Sequence, residues 1–177
     1  MVPAPPTSRP PLSTASGDER AASEDERPRD DERAQVVALL GRQPQGAFEI
    51  VVRDADGRPL VIRNAPVLDN GRPMPTRYWL LASEIRDQVG RLEAAGGVNA
   101  AEAEVDPAEL ATAHARYATE RDAAMPKGWT GPRPTGGVAG TRIGVKCLHA
   151  HYAWHLAGGD DPVGRWVASR LAAGEGR

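Results

Sequence analysis

Two short runs rich in β-forming residues, Phe48-Glu49-Ile50-Val51-Val52-Arg53 and Leu60-Val61-Ile62, are separated by Asp54-Ala55-Asp56-Gly57-Arg58-Pro59. The Asp-Gly pair supplies the positive backbone dihedral of a tight turn, so the two runs are predicted to pair as an antiparallel hairpin. A second turn cluster, Asp69-Asn70-Gly71-Arg72-Pro73-Met74-Pro75, leads into Tyr78-Trp79-Leu80-Leu81, which reads as a third strand. Three strands with an apolar face hold together only when helices cover them. The helices are marked at their starts. Asp30, Asp31 and Glu32 precede Val36, Val37, Leu39, Leu40 and the stop Gly41; Ser83 caps a helix through Ile85, Val89 and Leu92 that ends at Ala95-Gly96-Gly97. Asp106-Pro107-Ala108-Glu109 is a cap, a first-turn proline and a third-position glutamate, opening a helix to about Ala124. Val145 to Ala157 is helical in composition, and Asp161-Pro162 opens a last helix through Val163, Trp166, Val167 and Leu171. The expected fold class is α+β: a small antiparallel three-stranded meander packed against about five helices, with a disordered N-terminal tail.

Composition limits what that fold can be used for. Hydrophobic residues make up 40% of the 177 and charged residues 26%, with net charge −2, which excludes a collagenous chain, a polybasic nucleic-acid arm and a wholly disordered acidic protein. No run approaches the roughly 18 to 20 apolar residues of a membrane helix, and the N-terminus lacks a signal peptide's apolar core, so a cytoplasmic location is expected. Cys147 is the chain's one cysteine and cannot form an intramolecular disulfide. Residues 1–29 are Pro, Ser, Ala, Asp, Glu and Arg with almost nothing to bury, an acidic solubilising tail in expectation. Residues 30–173 are then one globular domain and 174–177 a short C-terminal tail.

Chemistry is concentrated late in the chain. Between Asp122 and Asp160 there is no acidic residue, while Lys127, Arg133, Arg142, Lys146, His149, His151 and His155 all fall inside. Met125 to Ile143 is a Gly/Pro loop longer than structureless connections in compact domains, which marks a binding element or lid. Gly136, Gly137 and Gly140, with Arg142, Lys146 and the helix start at about Val145, offer backbone N–H groups and positive charge to a phosphate or carboxylate. The spacing is neither a P-loop nor a dinucleotide fingerprint. On the helix expected from Val145, Cys147 and His151 are four apart, as are His151 and His155, a spacing that lets two side chains reach one zinc or iron ion. Cys147, His149, His151 and His155 are metal candidates, with His114, Asp54 or Asp56 completing the shell. The same residues are open to two other readings: half-buried packing histidines around a small apolar cysteine, or a thiolate activated by Lys146 and His151.

The stretches Leu40-Gly41-Arg42-Gln43-Pro44, Gly57-Arg58-Pro59-Leu60-Val61-Ile62, Asp69-Asn70-Gly71, Pro75-Thr76 with Tyr78-Trp79-Leu80, Val145-Lys146-Cys147-Leu148-His149 and Pro162-Val163-Gly164 together resemble the bacterial, mainly actinobacterial, domain-of-unknown-function family 501. The resemblance runs from about Gln35 to Trp166 and implies no established activity. It does imply a metal shell spread over hairpin, third strand and the Cys147 helix, because a cysteine is common in the family where this chain has Asp54, and a cysteine or histidine near Ala82. Here that shell is thinned. The expected function is a non-enzymatic binding or regulatory module with an anion or metal pocket in the Gly136 to His155 segment, serving a protein partner or a small anionic ligand. The alternative is a small metal- or cysteine-dependent enzyme acting on a phosphorylated or carboxylated substrate.

Overall fold

The Asp54 carboxylate closes the first hairpin from inside: its Oδ1 accepts the backbone N–H groups of Asp56 and Arg58, both at 2.9 Å, and its Oδ2 accepts from the Arg58 guanidinium at 2.8 Å. Gly57 takes the positive φ of 78° that this turn requires. In the computed structural model, which describes residues 29–174, the turn joins β1 (Phe48–Arg53) to β2 (Pro59–Asn64). The expected tail lies outside the described residues except for Arg29, as does the expected C-terminal tail except for Gly174. Strand β3 (Tyr78–Leu80) pairs with β2 through Val61 opposite Leu80 and Ile62 opposite Trp79, so the sheet order is β1-β2-β3, antiparallel throughout. This is the meander expected from the turn signals.

Alternation along β3 divides the interior. Tyr78 and Leu80 point to the larger core, and Trp79 and Leu81 to a smaller one on the other face. Helix α1 (Asp30–Leu40) covers the small side, where Val36 packs with Phe48, Ile62 and Leu81. Helices α2 (Ser83–Ala94), α3 (Gly97–Glu104), α4 (Pro107–Ala123), α5 (Leu148–Leu156) and α6 (Pro162–Ala172) lie on the large side. The described residues therefore contain six helices rather than about five. The extra one is α3, which starts immediately after the glycine stop of α2 because Gly96 turns the chain at φ 89°. Gly97 fits there because a Cβ would sit 2.6 Å from the Leu92 carbonyl.

Two other expectations are corrected. Helix α5 begins at Leu148 and not near Val145, so Cys147 is its N-cap, with extended φ −154° and ψ 116°, and does not lie a turn inside. Of the Met125 to Ile143 loop, the part around Pro134 and Gly137 to Thr141 is folded down on the body. Its 3-10 turn at Val138–Gly140 buries Val138 completely, and the Arg121 guanidinium of α4 donates to the Gly136 carbonyl.

Asp161 is the point where α5 and α6 are locked together. It is fully buried; one oxygen caps α6 by accepting the N–H groups of Val163 and Gly164, and the other accepts from His151 Nδ1 at 2.7 Å. Replacing Asp161 with Ala removes the cap and leaves a buried imidazole unpaired. A loss of about 3 kcal/mol is expected in urea unfolding, whereas an uncapped exposed helix would lose only about 1.

Candidate metal centre

The end of α2 and the start of α5 meet at three side chains of different chemistry. One ligand-type atom from each of Glu93, Cys147 and His149 lies within 4.8 Å of the other two. The sequence brings them together in two steps. The last turn of helix α2 holds Glu93, whose charge is disfavoured at a helix C-terminus. That carboxylate is directed instead at the N-terminus of α5, where Oε1 accepts the Leu148 N–H at 2.6 Å. His149, in the first turn of α5, then faces the same oxygen with Nδ1 at 3.2 Å. Cys147, at the cap, extends alongside.

The second nitrogen of His149 fixes its tautomer. Nε2 lies 3.0 Å from the Arg86 carbonyl, which only accepts, so Nε2 carries a hydrogen and Nδ1 is the nitrogen turned toward Cys147 and Glu93. A bound proton at Nδ1 is strongly favoured. The hydrogen bond to Cys147, the Arg86 carbonyl and the Glu93 carboxylate together outweigh half-burial and push His149 up to about 9.

Beside this cluster lies an open groove of about 340 Å³, lined by Cys147 and His149 together with Leu40, Arg42, Trp79 and Arg86. Arg42 lies flat over the Trp79 ring, 4.8 Å from its centroid.

Of the residues singled out from sequence, Cys147 and His149 are in this cluster and the others are elsewhere. His151 is not free to reach an ion with Cys147 or His155: it is 0% exposed, three residues from Leu148 on the inward side, and bonded to Asp161. His155 stacks on Tyr152 and meets α6 where Gly164 has no room for a Cβ. His114 is buried against the glycine loop, accepting from the Val138 N–H and donating to the Gly144 carbonyl, and burial lowers its proton affinity. Asp54 is engaged in the hairpin turn, its carboxyl held below the usual range by the Arg58 N–H. Asp56 pairs with Arg58 there, and Ala82 caps α2.

The glycine loop does not turn its N–H groups outward. Gly137 N–H bonds to the Thr141 carbonyl and Gly140 N–H to that of Gly137, while a Cβ on Gly136 would meet the Gly140 carbonyl. Arg142 and Lys146 are exposed and line no part of the groove that holds Cys147. The positive end of α5 is already met by Glu93, and the Val145 N–H by Glu102 of α3 at 2.9 Å. Glu93 itself is not singled out by sequence reasoning. The signal that could have found it is an acidic residue in the last turn of a helix, where the dipole opposes it.

His149 carries a testable pH dependence in the metal-free protein. Because its folded value is raised from about 6.5 to about 9, the stability it contributes is complete below about 6.5 and is lost as pH rises through 9. Its ring protons are expected to titrate near 9 by NMR, and the thermal midpoint is expected to fall between pH 7 and 9.5. In His149→Gln that fall should be reduced; an unchanged fall would assign it to another group.

No helix among the described residues is long and apolar enough to cross a membrane. No curated protein and no solved structure matches the chain significantly. A family model described as protein of unknown function DUF501 matches residues 50–169, a span that contains Glu93, Cys147 and His149. With more than half of its length matched, the chain belongs to the DUF501 family.

Proposed function

We propose that the protein is a metal-binding module whose centre is one divalent ion of the zinc type, held by Glu93, Cys147 and His149 with a fourth position open to the groove. The observation that carries the reading is the mixed donor set brought together from two elements, with the remaining His149 nitrogen bonded to the Arg86 carbonyl. Metal-bound histidines characteristically donate their second N–H to a carbonyl or carboxylate in this way. Bonds of about 2.0 to 2.2 Å at tetrahedral angles place N and O ligands roughly 3.4 Å apart, and His149 Nδ1 and Glu93 Oε1 stand 3.2 Å apart. Thiolate with imidazole suits zinc first; iron is the second choice for the same set. Three protein ligands with one open position is the arrangement of zinc sites that accept an exogenous ligand, in contrast to closed structural sites.

A cysteine-dependent enzyme is the second reading, favoured by the exposure of the same thiol to the groove beside an imidazole and a carboxylate. Those are a nucleophile beside a base whose other ring nitrogen is oriented by the Arg86 carbonyl, acting on a phosphorylated or carboxylated substrate. The two readings separate on one measurement. On the metal reading, purified protein takes up one zinc per chain by elemental analysis after dialysis, and zinc shields Cys147 from iodoacetamide. Cys147→Ala and Glu93→Gln should each weaken zinc binding by about 100-fold or more, beyond what outer-shell changes usually produce. Glu93→Gln keeps an oxygen for the Leu148 N–H, so its fold is expected to survive. Absence of stoichiometric zinc or iron together with rapid alkylation of Cys147 would favour the enzyme.

A further inference from the structure

The groove next to the cluster has a charge pattern of its own. Arg42, just past the end of α1, and Arg86, on α2, both line it, and no acidic side chain does. Neither guanidinium forms an ion pair among the described residues, whereas Arg53, Arg58, Arg63, Arg77, Arg116 and Arg165 each have a carboxylate. Apolar side chains share the lining with them, among them Leu40, Trp79 and Ala150. A groove lined by two cationic groups and apolar side chains, with no acid of its own, is complementary to a small organic anion.

We infer that the groove binds a small organic acid, a carboxylate or a phosphate monoester, whose head group is held by Arg42 and Arg86 beside Cys147 and His149 and whose apolar part lies on Trp79 and Leu40. The inference rests on the metal reading for the orientation of the ligand, since the ion's open position faces the same space. Guanidinium forks match both head groups in two-point hydrogen bonding. Trp79 is already the platform for Arg42 at 4.8 Å, so one aromatic face orders the cation and its neighbouring surface takes the ligand's hydrocarbon. The volume of about 340 Å³ is at the lower end of small-molecule sites, which excludes a folded macromolecule as the occupant of the groove itself.

The test uses the full chain with and without zinc, and three probes of similar shape: benzoate, phenyl phosphate and neutral benzamide. Binding is followed through the shift of the Trp79 indole N–H and by calorimetry. At least one acid is expected to bind while benzamide binds about tenfold more weakly or not at all, and the preferred acid tells carboxylate from phosphate. Arg42→Gln and Arg86→Gln should each cost about tenfold in acid binding, with zinc content unchanged, and Arg86→Lys should restore part of it. Equal binding of acid and benzamide, or arginine variants that bind like the parent, would overturn the inference. Zinc content is measured on the same samples. Acid binding that depends on both arginines in a chain that takes up no zinc when it is offered would overturn the metal reading and leave the anion site standing; zinc uptake without acid binding would do the reverse.

Discussion

The carboxylate of Glu93 ends one helix and begins another, and most of the late half of the chain takes its frame from that contact. By accepting the Leu148 N–H, Glu93 sets the first residue of α5. Cys147 is thereby left at the cap in extended backbone, His149 falls beside the carboxylate, and His151 falls inward toward Asp161. The same charge that is unfavourable at the end of α2 is favourable at the head of α5, so the two helices gain from one residue only when they are docked.

Local signals make the strands legible. An Asp-Gly turn, a second glycine-proline turn and period-two alternation in Tyr78 to Leu81 are enough to specify the meander from the amino acids alone, and Asp106-Pro107 and Asp161-Pro162 mark the starts of α4 and α6 to the residue. What is illegible depends on contacts distant in sequence. The start of α5 is set by acids on α2 and α3, more than forty positions earlier, and no local pattern around Val145 reports them. Helix α3 is hidden because the two glycines that read as a stop also serve as a hinge between successive helices. In the candidate site, Cys147 and His149 are visible as residue types with metal chemistry, but Glu93, Arg42 and Arg86 look like ordinary surface charge. Taking Leu148, Tyr152 and Leu156 as the apolar stripe puts His151 on the wrong face, because the buried side of the helix is formed by Leu148, Ala150, His151, Ala153 and Trp154.

The acid-free stretch from Ala123 to Gly159 is a real anomaly with an internal answer. Its buried N–H donors are met by carboxylates from neighbouring elements: Glu93 at Leu148, Glu102 at Val145, Glu120 at the Trp154 indole and Asp161 at His151. A segment that lacks acids of its own is thus assembled on acids contributed from α2, α3, α4 and the cap of α6. The backbone N–H groups that an external anion would have sought there are used in folding, and the arginines that line the groove come from other elements, after α1 and on α2.

Helix α1 stands apart in this arrangement. It is docked on the small cluster of Val36, Phe48, Ile62 and Leu81, precedes the family-matched segment, and with the residues just after it supplies Leu40 and Arg42 to a groove whose other wall is α5. Local opening of α1 dismantles one wall of that groove while leaving the Glu93, Cys147 and His149 cluster intact. An acid that needs both walls binds only the docked form, so by mass action it holds the helix down, by roughly 2.7 kcal/mol when present at a hundred times its dissociation constant. On the proposed reading, an acid bound at the head of α5 is in this way thermodynamically linked to the order of residues 30 to 42, more than a hundred positions earlier in the sequence.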